Sequence, residues 1–319
     1  MTDIELEPRE ARDLRSTIRA AIPHWLRPVL AVLHDATDGL FRHDGVMVAC
    51  AISYSLIFAL FPFVIFLIAA GAVFGGPDLA GYVSHEALTV LPAHVIKTLE
   101  PELNRIFAAA NRAQPLTIGL AVTIISITGA IEAIRDGLNR AYGCTEDRHL
   151  IRRYLSSVFF VFVGTAFLLV VSALGIALPI AIGIIDRYFP GPPIQTSWIE
   201  TAREAILALV TLAMLLAFHL LLPAKRLRFK RVVGGVFFTL IGWWLAGKVF
   251  GLYITEIANY SATYAGLAGI VILMFFLYIQ ALIFLYGAEV NRSIADLRGD
   301  TLTQQALAKG ESAAGKRPG

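Results

Sequence analysis

The chain has 319 residues, of which 57% are hydrophobic and only 16% are charged, and its formal net charge is +3. A soluble domain of this length carries about a quarter charged residues, so the composition excludes an ordinary soluble globular protein. The two cysteines, Cys50 and Cys144, are too few for a disulfide framework or a cysteine-based zinc site.

Long apolar segments predict six membrane-spanning helices, because a span needs about 20 apolar residues. In chain order the predicted spans are 46–74, 116–134, 154–185, 205–222, 232–253 and 267–288. The second span is short and rich in Thr, Ser and Gly, so we expect it to face other helices rather than lipid. The sequence therefore predicts an all-α polytopic membrane protein built as a six-helix bundle.

The segments around the spans complete the predicted organisation. Residues 1–45 form an N-terminal region with an interfacial elbow helix in "WLRPVLAVLHDATDGLF", and residues 46–292 form the membrane domain. Within that domain, the external loop 75–115 carries apolar residues at helical spacing and predicts an amphipathic helix. Residues 293–319 are small and polar and predict a flexible tail.

The distribution of Lys and Arg predicts the orientation. Segments 1–45, 135–153, 223–231 and 289–319 carry six, five, five and five of them, whereas 75–115, 186–204 and 254–266 carry three, two and none. Cytoplasmic loops are enriched in Lys and Arg, so both termini are predicted to be cytoplasmic. The remaining cation, Lys248, lies near the outer end of the fifth span. We expect its ammonium group to extend to the lipid headgroups rather than to be buried in the bundle.

Charged residues cluster where the second span ends. Glu132, Arg135 and Asn139 share one helix face, at i, i+3 and i+7. They form either a solvated row of charges at a helix end or part of the lining or gate of a cavity, because acids at membrane depth usually face the bundle interior.

The last span ends in a similar way. Gln280 lies inside its apolar run, and Glu289, Asn291 and Arg292 follow at the same predicted membrane level as Glu132. We therefore group these residues with those of the second span as one candidate polar site, in which Arg135 or Arg292 is the expected partner of Glu132.

Prolines and glycines mark places of bending and close packing. Pro62 and Pro179 each remove a backbone donor inside a span, and we consider both as candidate hinges. Tyr54 adds polarity about two turns before Pro62 and joins the candidate cavity residues. Gly71/Gly75 and Gly247/Gly251 match the GxxxG spacing that lets membrane helices approach one another.

Four segments together resemble the YihY/BrkB family of bacterial inner-membrane proteins, whose older label is ribonuclease BN-like. The segments are "AISYSLIFALFPF", "IEAIRDGLNRAYG", "LLLPAKRLRFKRVVGG" and "YAGLAGIVILMFFLYIQALIFLYGAEVNR". The resemblance covers about residues 30–295. It implies six membrane helices, a location in the bacterial inner membrane, and links to serum resistance and to envelope or lipid transport.

The ribonuclease label finds no support in the residue pattern. The seven histidines form no HxH or HxxxH pair and are scattered over both predicted membrane faces, whereas metal-dependent hydrolysis needs clustered ligands. We expect no enzyme activity, no metal, no cofactor and no specific nucleic-acid partner.

Two functions stay open. The first is a transporter-like protein that moves a lipid or small solute through a polar cavity, with membrane lipids as its surroundings. The second is a non-catalytic scaffold for envelope assembly. The oligomeric state is also left open.

Overall fold

The computed structural model describes residues 26–60, 113–178, 197–257 and 265–298, together with Pro23 and Ile182. Within these ranges the regular secondary structure is helical. The helices are α1 (Arg27–Arg42), α2 (Gly45–Leu60), α3 (Ala113–Ala141), α4 (Leu150–Ser172), α5 (Ser197–Leu221), α6 (Phe229–Ile257) and α7 (Ala265–Leu297). A π-helical turn, Ala173–Ala177, continues α4.

The end of α3 is set by Gly143. This residue has φ 61°, in the left-handed region that glycine adopts without a steric penalty. The Cys144 N–H donates to the Asn139 carbonyl at 2.7 Å, which is the closure that ends many helices at a glycine. The chain therefore turns back at once, and α4 packs antiparallel against α3.

Helices α1, α3 and α6 pack against α7. The most extensive contact in the described part is between α6 and α7, and α1 also packs against α7. Helices α1 and α2 meet at 68°, at a turn where Asp44 has φ 56°. The loop 222–228 joins α5 to α6, and these two helices also pack against each other.

Most of the helix surface faces outward and is apolar. The most apolar windows of α4, α5, α6 and α7 are only 12%, 17%, 22% and 22% buried. Large side chains such as Phe162, Leu209 and Trp244 are exposed on this surface. A surface of this kind suits lipid, and the chain is a membrane-embedded protein.

Four of the described helices, α4 to α7, are long and apolar enough to cross a membrane, and the bent pair α1–α2 adds a fifth if it counts as one span. Helix α3 is longer than its predicted span at both ends, and α7 continues to Leu297, into the segment predicted as tail. The predicted elbow segment is helical as α1, while its interfacial position and the six-span count stay predictions.

Several predictions fall outside the described residues. These are the hinge at Pro62, the amphipathic helix of the external loop, the close contact at Gly71 and Gly75, and most of the tail. Pro179 also lies outside. The π turn contains Gly175, whose carbonyl is expected to have no helical partner because Pro179 has no backbone N–H. The hinge roles stay predictions.

Candidate functional site

Buried polar side chains gather at one end of the bundle. We call this the basic end; it comprises residues 135–153, 223–231 and 289–298, which belong to the segments rich in Lys and Arg. Buried polar residues here and just inside it are Arg135, Asn139, Ser157, His219, Glu289, Asn291 and Ser293. Such groups are costly at membrane depth unless they are paired, so their partners decide what this end can do.

Glu132 lies in an ion-pair cluster between α3 and α4. Its carboxylate accepts hydrogen bonds from Arg135 and Arg153, and from the Ser157 hydroxyl at 2.6 Å. The Arg135 side chain is only 1% exposed, and that of Glu132 is 23% exposed. Arg135 also contacts Ser157 Oγ at 2.8 Å, while its Nε is buried without a partner among the described atoms. We call these four residues the Glu132 cluster.

The hairpin α3–α4 creates the Glu132 cluster. Arg135 and Ser157 lie at similar distances from the connecting loop, so an antiparallel pair of helices brings them level with each other. The sequence predicted Arg135 as a partner of Glu132 but missed Arg153 and Ser157. The short loop between α3 and α4 could have indicated these partners, because a short loop makes two consecutive helices antiparallel neighbours.

Asn139 serves a different contact from Glu132. Its amide donates to Glu146 at 3.1 Å, and its carbonyl oxygen accepts the Ala224 N–H at 2.8 Å. Arg148 forms two hydrogen bonds with Glu146, at 2.7 and 2.9 Å, and donates to the Leu222 carbonyl at 2.8 Å. Asn139 therefore joins the α3–α4 loop to the α5–α6 loop.

Acidification is expected to weaken this loop contact. The hydrogen bond from Arg148 is the main cause that lowers the pKa of Glu146 from 4.5 to about 2. The stabilisation is thus fully present above the unfolded pKa of 4.5 and is lost as the pH falls through the folded pKa. We expect the melting temperature of the purified protein to fall as the pH is lowered from about 5 towards 2, and Glu146→Gln to reduce that slope.

The exposed neighbour Asp147 provides the control for this measurement. Asp147→Asn removes the same charge without touching the Arg148 contact and should keep the wild-type slope. An unchanged slope in Glu146→Gln would contradict the assignment.

Asn291 anchors a second buried network. Its oxygen accepts the Gly235 N–H at 2.5 Å and its amide donates to Tyr142 Oη at 3.1 Å. Tyr142 Oη in turn lies 2.7 Å from His219 Nδ1. Burial raises the pKa of Tyr142 far above its usual range, so the phenol stays protonated and donates to His219. This network connects α7, α6, α5 and the end of α3.

Glu289 is held by the turn between α1 and α2. Its Oε1 lies 2.7 Å from His43 Nδ1, and Arg292 Nη1 lies 2.8 Å from His43 Nε2. Arg292 Nη1 also lies 3.2 Å from His43 Nδ1, so the imidazole contacts both charged side chains of this group. Gly39 leaves room for the carboxylate, since a Cβ there would collide with Glu289 Oε2.

Gln280 lies at a cavity inside the bundle. The cavity has a volume of about 250 Å³ and is lined by residues of α2, α3, α5, α6 and α7. Its walls are almost entirely apolar and include Ile134, Phe218 and Phe284. The side-chain oxygen of Gln280 is buried and has no partner among the described atoms, while its backbone carbonyl accepts the Trp243 indole N–H at 2.9 Å.

The candidate residues thus divide among six places rather than one. The Glu132 cluster, the Asn139 contact, the Asn291 network and the Glu289–Arg292 group are separate, and Gln280 belongs to the cavity. Tyr54 lies on the outer surface, 59% exposed, against Phe58. His43 was missed as a member of the site, because its partners come from another helix. Among the described residues, no three His, Cys, Asp or Glu side chains are grouped as a metal site requires.

Comparison with known proteins identifies relatives over most of the chain. The profile of the family described as Virulence factor BrkB matches residues 36–311. The ribonuclease-like protein YfkH of Bacillus subtilis is 28% identical over 253 residues, which cover 78% of this chain and 90% of YfkH.

Membrane proteins of the UPF0761 group are also similar. That of Rhodospirillum centenum is 27% identical over 91% of this chain, and that of Chromohalobacter salexigens is 22% identical over 86%. The matches span only 63% and 65% of these two relatives. No solved structure matches this chain.

Proposed function

This chain belongs to the BrkB family of membrane proteins, and from that premise we propose that it is a transporter-like protein that moves a lipid or small solute through its helix bundle. We place it in the bacterial inner membrane with both termini in the cytoplasm. We also propose that it is not an enzyme, whatever the name of the relative YfkH suggests.

The cavity at Gln280 carries this proposal. Its walls are almost entirely apolar, so the cavity favours a guest with a largely apolar surface. A volume of about 250 Å³ accommodates a small solute or a segment of an acyl chain. The sequence predicted a polar cavity, which would select a polar guest. The apolar cavity of the structure favours a more apolar one.

The buried polar groups fit the role of a closed end. Ile134 of the cavity wall lies between Glu132 and Arg135 in the chain, and Phe218 precedes His219. Members of the Glu132 cluster and of the Asn291 network are therefore chain neighbours of residues in the cavity wall. In this proposal the two networks hold the basic end shut, and passage requires them to rearrange.

Translocation by purified protein in vesicles tests the proposal. One set of vesicles contains a phospholipid with a dithionite-reducible fluorophore on its headgroup, and a second set contains a trapped fluorescent solute. We expect the protein to accelerate the passage of one of these probes. Ala281→Phe places a ring at the cavity wall and should return that rate to the protein-free value.

Ala205→Phe makes the same change at an exposed position of α5 and should keep the wild-type rate. Melting curves of both variants establish that they are folded. If neither probe crosses faster with wild-type protein than without it, the transport proposal fails and the scaffold function is favoured.

A further inference from the structure

A second, larger recess lies between α5 and α6, on the outside of the bundle. It has a volume of about 840 Å³. Arg203, Glu204 and Lys248 surround one end, while Leu207, Ile241 and Trp244 are among the residues that line the rest. We call this recess the α5–α6 groove. It is separate from the polar networks of the basic end.

The charged end of the α5–α6 groove lies at the far side of the membrane from the basic end. At a rise of about 1.5 Å per residue, Arg203 is about 27 Å from the end of α5 at Leu221, and Lys248 about 29 Å from the start of α6 at Phe229. The hydrocarbon core of a bilayer is about 30 Å thick. Both cations therefore lie near the edge of the hydrocarbon core in the opposite leaflet, where their long side chains reach towards the phosphates, and the apolar part of the groove runs towards the midplane.

The two cations are incompletely paired with protein. The Nε of Arg203 is buried without a partner among the described atoms, and Lys248 Nζ lies 5.8 Å from the centre of the Trp244 ring. Arginine offers a planar fork of donors that matches phosphate oxygens. With Glu204, the charged end has a net charge of +1, which complements a single phosphodiester.

We propose that the α5–α6 groove binds an anionic glycerophospholipid of the leaflet opposite the basic end, with its phosphate between Arg203 and Lys248 and an acyl chain along Leu207 and Ile241. The proposal goes beyond the transport function and does not depend on whether anything crosses the membrane. A groove with this charge distinguishes an anionic lipid from a zwitterionic one, which an apolar groove alone cannot do.

Tryptophan quenching by brominated lipid tests the proposal on the full-length protein. Two of the four tryptophans, Trp243 and Trp244, line the groove. The protein is reconstituted into phosphatidylcholine vesicles that contain a minor fraction of brominated phosphatidylglycerol or, in parallel, of brominated phosphatidylcholine. We expect stronger quenching by the brominated phosphatidylglycerol, and Trp244→Phe should remove most of the difference.

Variants at the two cations then assign the selectivity. Arg203→Gln and Lys248→Gln are each expected to lower the preference for phosphatidylglycerol by about five-fold. Arg226→Gln removes one cation from the exposed α5–α6 loop and should leave the preference unchanged. Because Lys248 is exposed, its variant gives a result even if Arg203→Gln folds poorly. Equal quenching by the two lipids would overturn the proposal. So would a preference for phosphatidylglycerol that survives when Arg203→Gln and Lys248→Gln are combined.

Discussion

Replacing Gly235 with alanine is expected to destabilise the protein strongly, because it separates α6 from α7. A Cβ at Gly235 would collide with the Gly287 carbonyl oxygen and lie only 2.6 Å from the side-chain carbon of the Asn291 amide. A backbone oxygen cannot move aside as a side chain can, so the helices must part along their whole contact. Overpacking costs about 1–3 kcal/mol and sometimes more, and a clash with the main chain belongs at the upper end of that range.

The same variant also breaks the Asn291 network. Asn291 accepts the Gly235 N–H and donates to Tyr142, so a displaced Asn291 leaves buried donors and acceptors unpaired. We therefore expect Gly235→Ala to lower both the yield of protein in the membrane and the melting temperature after extraction. Gly287→Ala should behave alike, since its Cβ would collide with Thr239 Oγ1.

Gly247 and Gly251 supply the matched controls on the same helix. No described atom lies within 4 Å of a Cβ at either position. Alanine is a better helix former than glycine by about 0.8–1 kcal/mol, so Gly247→Ala and Gly251→Ala should be neutral or stabilising. Equal melting temperatures for Gly235→Ala and Gly247→Ala would contradict the assignment of the contact.

These glycines show what a sequence pattern leaves undetermined. The GxxxG spacing predicted a close approach at Gly247 and Gly251, but the described residues make none there. The close approach pairs Gly235 with Gly287, which lie on different helices and share no motif. Spacing along one helix fixes which glycines share a face, whereas the crossing point of two helices depends on the whole packed surface.

Local and chemical features were more predictable than partners across helices. Helix α1 covers most of the predicted elbow. The end of α3 depends on Gly143, a residue that directly follows the helix in the sequence. The family resemblance is confirmed. The pairing of His43 with Glu289 joins residues 246 positions apart, and neither side chain signals the other in the sequence.

Glu132→Gln is expected to destabilise the protein strongly, because it leaves Arg135 buried with its charge uncompensated. Arg135 is 1% exposed, and Glu132 is its carboxylate partner in the described structure. Removing one partner of a buried ion pair costs about 3–5 kcal/mol. Arg135→Met should cost less, since the Glu132 carboxylate keeps Arg153 and Ser157 as partners and is 23% exposed.

A double variant separates the charge effect from a loss of packing. Glu132→Gln combined with Arg135→Met removes both charges, and replacing a buried pair by groups of similar volume is often neutral or stabilising. We expect the double variant to be more stable than Glu132→Gln alone in denaturant-induced unfolding. If it is instead less stable than either single variant, the cluster contributes through its hydrogen bonds rather than through charge balance.

The neighbouring pair Asp136–Arg140 decides between the two interpretations of the charged segment. Its side chains are 55% and 46% exposed, so the pair is solvated and contributes at most about 1 kcal/mol. Asp136→Asn is therefore expected to have little effect on unfolding. If Glu132→Gln costs no more than Asp136→Asn, the Glu132 cluster is part of a solvated row of charges, and its role as the closed end of the cavity is ruled out. If Glu132→Gln alone destabilises, the burial of Arg135 governs the energetics of this end.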